Sequence, residues 1–201
     1  MSWLRWVPHR GTLPPLPARP GTPVVLLHGL MGSPGNFERT ARALVGLGAP
    51  VVAPLYGQRG TVTVEQSFEE LIDVCRALPL PVDIVGHSLG GLLGLRLAHE
   101  CKVRTLVGVG ACFRGLPLPR RALRRAIPLV MGRGAGDLMT ATPFDAAVPE
   151  GTRVVSLISD ADTIVPAWSS ELGEVRRLHG VRHEHLPGQA DAILDALEWT
   201  P

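Results

Sequence analysis

Short apolar runs alternate along the chain with stretches in which apolar positions recur every three or four residues. The runs at 24–28, 51–54, 82–86, 103–109 and 153–158, with a shorter one near 182–186, predict β-strands. The stretches near 36–47, 64–78, 89–100, 168–175 and 189–199 predict helices. Strands alternating with helices in this way build right-handed βαβ units. The expected fold is α/β: a compact, mostly parallel sheet of about six strands with helices on both faces. Residues 1–22, rich in Pro and Gly, read as an extended arm before a single domain spanning 23–201. Trp3, Leu4 and Trp6 in the arm are expected to pack on the domain's own surface. Residues 111–150 break the rhythm and read as a small cap or rim, not a large lid domain. Within them, Arg120-Arg121-Ala122-Leu123-Arg124-Arg125-Ala126-Ile127 predicts one basic amphipathic helix. Such a helix could touch an anionic interface, and a solvated face is the reading preferred.

Composition narrows the class. The chain has 201 residues, 45% of them hydrophobic and 19% charged, which suits one well-packed domain and disfavours disorder. A net charge of +2 gives no basis for a nucleic-acid surface. Cys75, Cys101 and Cys112 are odd in number and irregularly spaced, so they form neither a disulfide framework nor a metal-site pattern. Cys75 falls on an apolar helical stripe and reads as core. No run is long enough to span a membrane, and residues 1–8 lack the apolar region of a signal peptide, so a cytoplasmic location is expected.

The chemistry concentrates at Gly86-His87-Ser88-Leu89-Gly90-Gly91. A predicted strand precedes it and a predicted helix follows, which is the context of the G-x-S-x-G nucleophile elbow. The glycines allow a turn so tight that a side chain would strike the neighbouring strand or helix. Ser88 would then stand at the carboxyl end of the sheet and at a helix amino terminus, where negative charge is favoured.

A serine hydroxyl needs a base, and the base needs a carboxylate to hold its tautomer. With this elbow the chain order is Ser, acid, His. After the strand at 153–158 come Ser159-Asp160-Ala161-Asp162-Thr163-Ile164-Val165-Pro166. Asp160 and Asp162 both qualify as the acid. The spacing to Pro166 favours Asp162, leaving Asp160 as a turn residue. The base comes from His179, His183 or His185, and the position of His183 before the last helix favours it. His87 precedes the acid, the wrong order for the base. The backbone N–H of Leu89 is one expected oxyanion donor, and that of Leu30, in the loop His28-Gly29-Leu30-Met31-Gly32, is the second. His28 is expected to orient this loop, whose glycines Gly29 and Gly32 let backbone approach substrate.

These motifs resemble the bacterial lipases and esterases of the α/β-hydrolase fold, above all the small lidless triacylglycerol lipases. The resemblance runs over about residues 23–199, through the His28–Gly32 loop, the Gly86–Gly91 elbow, the Asp160–Val165 segment and His179–His183. It also includes Gly136-Asp137-Leu138-Met139-Thr140-Ala141-Thr142-Pro143-Phe144. It implies Ser88 as nucleophile, Asp162 as acid, His183 as base, and Leu30 and Leu89 as oxyanion donors. Two positions depart from the family: Arg182 stands where Gly is usual, and Glu184 and His185 follow the histidine where small or apolar residues are usual.

The expected activity is hydrolysis of carboxylic esters, with acyl esters of lipids as the substrate class, through an acyl-enzyme. No metal or organic cofactor is expected, and the expected partners are a small-molecule or lipid ester and, transiently, a lipid interface. A thioesterase or acyltransferase would use the same triad. A silent hydrolase fold that binds a lipid or protein is the non-enzymatic alternative.

Overall fold

The computed structural model describes residues 11–14, 16–121 and 123–199. The strands are β1 (Val24–Leu27), β2 (Val51–Val52), β3 (Val82–His87), β4 (Val103–Val109), β5 (Leu116–Pro117), β6 (Met139–Thr140), β7 (Arg153–Ser159) and β8 (Glu174–Leu178). Six of them form one sheet in the order β2-β1-β3-β4-β7-β8, with every neighbouring pair parallel. β5 and β6 form a separate parallel pair.

The period of two in each strand divides the core between the two faces. Val24 and Leu26 of β1 join one apolar cluster, Val25 and Leu27 the other. The helices, in chain order, are α1 (Glu38–Gly46), α2 (Gly57–Gly60), α3 (Val64–Arg76), α4 (Leu89–Glu100), α5 (Ala126–Met131), α6 (Arg133–Leu138), α7 (Ala167–Ser170) and α8 (Ala190–Leu197). α1 and α8 cover the first face through Ala41, Leu44, Ile193 and Leu197. α3 and α4 cover the second through Leu71, Cys75, Leu93 and Leu97. Leu44 and Leu93 are wholly inaccessible to solvent, and each such side chain contributes about 1.5–3 kcal/mol by leaving water. The start of α3 is fixed by a reciprocal cap: Thr63 Oγ1 accepts from Gln66 N at 3.2 Å, and Gln66 Oε1 accepts from Thr63 N at 3.3 Å.

Three expected elements differ. Residues 168–175, expected as a helix, divide into the single turn α7 and the edge strand β8. Residues 182–186, expected as a strand, belong to a 3-10 helix, His183–Gly188. The physical reason is the edge position of β8. Its Val175 is exposed, and its Arg176 and Arg177 pair with Glu174, Asp195 and Glu171 on the surface. A strand covered on so little of its surface loses the apolar alternation that marks an inner strand. The predicted basic helix at 120–127 begins only at Ala126, after a series of turns. Arg120 with Arg124, and Arg121 with Arg125, would stack like charges four residues apart in a helix, which disfavours it there.

Between β4 and β7, within residues 111–150, lie α5 and α6. Gly134 N donates to Thr61 O at 3.3 Å, and Asp137 accepts from Val64 N at 2.9 Å. In the arm, Leu13 and Leu16 pack against the α1 side of the core. Trp199 Nε1 donates to Thr22 O at 3.2 Å. Trp3, Leu4 and Trp6 lie outside the described residues. Among the described residues no helix is long and apolar enough to cross a membrane.

Candidate active site

The strand order reverses direction at β1: β2 lies on one side of it and β3 on the other. Loops leaving β1 and β3 therefore diverge and open a crevice at the carboxyl edge. The loop His28–Gly32 leaves β1 there, and Ser88 leaves β3 there.

Ser88 has φ 53° and ψ −118°, left-handed values unusual for a non-glycine residue, at the N-cap of α4. Such a conformation costs about 1–3 kcal/mol and persists because its surroundings hold it. Ser88 N donates to Val109 O at 3.2 Å, and Ser88 O accepts from Gly91 N at 3.0 Å and Cys112 N at 3.2 Å. The flanking glycines are there for space. A Cβ on Gly86 would lie 2.3 Å from Gly90 O, and one on Gly90 would lie 2.1 Å from Leu27 O. Burial pushes the pKa of the neighbouring Cys112 thiol up to about 12, and the Ser88 hydroxyl opposes that rise. No hydrogen bond joins that hydroxyl to His183 in this conformation, among the described residues.

Asp162 follows β7 and His183 opens the 3-10 turn after β8. His183 Nδ1 donates to Asp162 Oδ2 at 2.7 Å, and the two side chains are 11% and 4% exposed. Asp162 Oδ1 accepts from Ile164 N at 2.9 Å and Val165 N at 3.0 Å. Burial opposes ionisation of Asp162, but the His183 contact and these two amides outweigh it, and its pKa is lowered. A proton held on Nδ1 leaves the lone pair on Nε2. Asp160 sits elsewhere: its carboxylate is exposed and binds His179 Nδ1 and Gly180 N, both at 2.8 Å. His185 is 47% exposed and lies beside Arg182. Arg182 itself is 70% exposed and pairs with Glu184 at 3.4 Å, so this charged flank points to solvent and away from the buried Asp162–His183 pair.

Across the crevice, neither Leu30 N nor Leu89 N donates to a protein acceptor among the described residues. The Gly29–Gly32 turn that carries Leu30 is tied back by Gly32 N to Gly29 O at 2.9 Å and by Met31 N to Arg59 O at 2.8 Å. His28 is fully buried, donates Nδ1–H to Gly29 O at 2.9 Å, and stacks on Tyr56 at 4.2 Å. Burial lowers its pKa to about 4, so it is neutral. His87 is likewise neutral: burial and the neighbouring His183 lower it to about 3.

Four contributors escape the sequence motifs. Tyr56 donates its hydroxyl to His28 O, and Arg59 binds the carbonyls of Met31 and Gly32. Together they brace the loop carrying Leu30. Arg59 and its neighbour Gln58 hold left-handed backbone without being glycine; no residue type announces that. Gly110, at φ 53°, leaves room under the pair: a Cβ there would sit 3.0 Å from Asp162 Oδ2 and 3.3 Å from His183 Nδ1. Cys112, fully buried, lies beside Ser88, its amide donating to Ser88 O at 3.2 Å. Among the described residues no group of three or more His, Cys, Asp or Glu side chains is arranged to hold a metal ion.

The model of the alpha/beta hydrolase family matches residues 24–200. The chain is 31% identical over 153 residues to the magnesium-chelatase 30 kDa subunit of Rhodobacter capsulatus, an overlap of 63% of this chain and 54% of that protein. It is 36% identical over 89 residues to an sn-1-specific diacylglycerol lipase of Xenopus tropicalis, covering 40% of this chain and 28% of that one. It thus spans about half of the first relative and less of the second. The crystal structure of Paleococcus ferrophilus monoacylglycerol lipase superposes with a TM-score of 0.67 at 21% identity, over 88% of this chain and 94% of that one. The parallel sheet, the strained turn at Ser88 and the family match over nearly the whole described chain agree: this protein belongs to the alpha/beta hydrolase family.

Proposed function

We propose that this protein is a serine hydrolase that cleaves carboxylic esters of acyl chains, with Ser88 as nucleophile, His183 as base and Asp162 as the acid that orients it. The observation that carries the reading is the convergence of a strained serine at a helix N-terminus with a buried His183–Asp162 pair 2.7 Å apart on the same edge of the sheet.

In this reading Ser88 Oγ turns toward His183 Nε2 and attacks the ester carbonyl carbon while Nε2 takes its proton. Apo sites commonly hold such contacts loosely and tighten them on substrate. The carbonyl π electrons move to oxygen, and Leu30 N–H and Leu89 N–H receive the oxyanion. Each donor of this kind is worth about 3 kcal/mol of transition-state stabilisation. Collapse expels the alkoxide, which leaves as the alcohol with the proton from His183. Water, deprotonated by Nε2, then attacks the acyl-enzyme and releases the acid and Ser88. His87 and His28 stay neutral and serve as positioning groups. No step requires a cofactor.

A panel of p-nitrophenyl esters of graded chain length, with matched thioesters and an acceptor alcohol, tests the reading on the parent protein and Ser88→Ala. Ester hydrolysis that rises with acyl length and vanishes in Ser88→Ala supports it. Preferential thioester cleavage or transfer to the alcohol replaces it with the corresponding acyl chemistry. No turnover of any of them by folded parent protein overturns it.

A further inference from the structure

The large apolar side chains left exposed are distributed unevenly. Leu55, Leu123, Leu129, Val130, Ile164 and Trp168 lie in segments that leave the carboxyl ends of β2, β4 and β7, the edge that carries Ser88 and His183. The opposite edge has Leu47, Leu80 and Val148. The cap is the extreme case. Leu129 is 80% exposed, Val130 55% and Leu123 49%. A bond from Ile127 N to Leu123 O at 3.0 Å continues the helical turn backwards from α5. Leu123, Ile127 and Val130 therefore follow one another along one helical ridge, with Leu129 beside it.

Charge is polarised at the same place. Residues 113–136 contain six arginines, at 114, 120, 121, 124, 125 and 133, and none of the chain's 18 acidic residues. Arg120, Arg121, Arg124 and Arg125 are exposed, and none makes an ion pair among the described residues. An exposed leucine ridge alone is open to many partners. Guanidinium groups that have no carboxylate partner among the described residues select an anionic one, and their planar donors suit phosphate oxygens. Apolar residues projecting among basic ones match the layered chemistry of a membrane surface, phosphate outside and acyl chain beneath.

We infer that this face docks on an anionic lipid surface, with α5 and the preceding turns seated among the headgroups. The cap is also linked to the site. Gly132 and Gly134 rest on Thr61 and Gly60, and Gly60 packs against Leu89 and Leu30, the proposed oxyanion donors. Docking would place the crevice against the source of an acyl ester. That last consequence rests on the hydrolase reading of Ser88; the docking does not.

The test is sedimentation of Ser88→Ala protein with vesicles of phosphatidylcholine alone or mixed with phosphatidylglycerol, so that binding is read without catalysis. Binding is expected to the mixed vesicles, to weaken with salt, and to be far weaker on phosphatidylcholine. Replacing Arg124 and Arg125 with Gln should lower the partition coefficient about fivefold per arginine, and Leu129→Ser about tenfold. In the Ser88 background the same changes should leave hydrolysis of a short soluble ester unaltered, showing that the fold is intact. Binding to neither vesicle, equal binding to both, or variants that bind like their parent would overturn the inference. So would a dimer in solution that Leu129→Ser dissociates while no vesicle is bound, which assigns the face to a second copy. Vesicle binding by a protein that hydrolyses no ester upholds the docking and removes the hydrolase reading.

Discussion

His87 Nε2–H donates to the main-chain carbonyl of His183 at 3.1 Å, and the two rings lie 4.5 Å apart. The residue before Ser88 thus fixes the backbone of the proposed base, from the far end of the chain. A Cβ on Gly29 would lie 3.0 Å from His87 Nδ1, so the same ring also abuts the loop carrying Leu30. His87→Phe keeps the volume and loses the donor, leaving a partly buried carbonyl unpaired. A loss of about 1–2 kcal/mol is expected, seen as a roughly tenfold lower kcat with KM unchanged. His87→Gln, which retains a donor, should recover most of it. Unchanged kcat in His87→Phe would show that the contact does no positioning.

Acid should destabilise the fold through two buried imidazoles. Burial lowers His28 to about 4 and His87 to about 3, against an ordinary 6.5. The unfolded chain therefore binds more protons than the native one below about pH 6.5, and stability must fall as pH falls. His28 alone should remove about 3 kcal/mol between neutrality and pH 4. Asp162, whose pKa is lowered, adds its own loss as pH falls from the ordinary carboxylate range toward its native value. Urea midpoints measured from pH 7 to pH 4 check this, and His28→Asn should flatten the upper part of the curve.

The two aspartates after β7 should behave differently. Asp162→Asn removes the carboxylate that holds Nδ1–H of His183 and is expected to lower kcat by about 10³–10⁴-fold. Asp160→Asn touches only the exposed His179 and Gly180 contacts and should leave kcat within about twofold, as expected for a surface pair. Steady-state rates of the two variants, side by side, separate the roles. Equal losses would contradict the assignment.

Close approach at the elbow predicts a severe glycine effect. Gly90→Ala would drive a methyl into Leu27 O and should lower stability by at least about 3 kcal/mol, since backbone cannot give way as a side chain can. Gly46→Ala, at a helical position with nothing within 4 Å, should be neutral or stabilise by about 0.5 kcal/mol. Thermal melts of the two variants check both directions.

What the sequence made legible follows from how strongly each element is buried. β1, β3, β4 and β7 lie inside the sheet and read as continuous apolar runs. β8, at the edge and half clothed in Arg–Glu pairs, does not read as a strand, and its first two residues fall in a stretch read as helix. The pairing of Asp162 with His183 was foreseeable from chain order alone, acid before histidine, because the strand that precedes His183 went unrecognised and His183 itself fell in a stretch read as strand. The bracing of the loop by Tyr56 and Arg59 was not. It depends on left-handed backbone at Gln58 and Arg59 and on a stack with His28, and no periodicity encodes either. The arginines at 120–125 were legible as charge. Their failure to begin a helix came from their own repulsion, and the exposure of Leu129 is visible only in three dimensions.

The most direct test is stoichiometric labelling with a fluorophosphonate, followed by mass spectrometry of the modified peptide. One adduct per chain on Ser88, slowed by at least about 10³-fold in His183→Ala and absent in Ser88→Ala, is the predicted result. A folded protein that stays unlabelled, or labels as fast without residue 183 as with it, would contradict the proposed site.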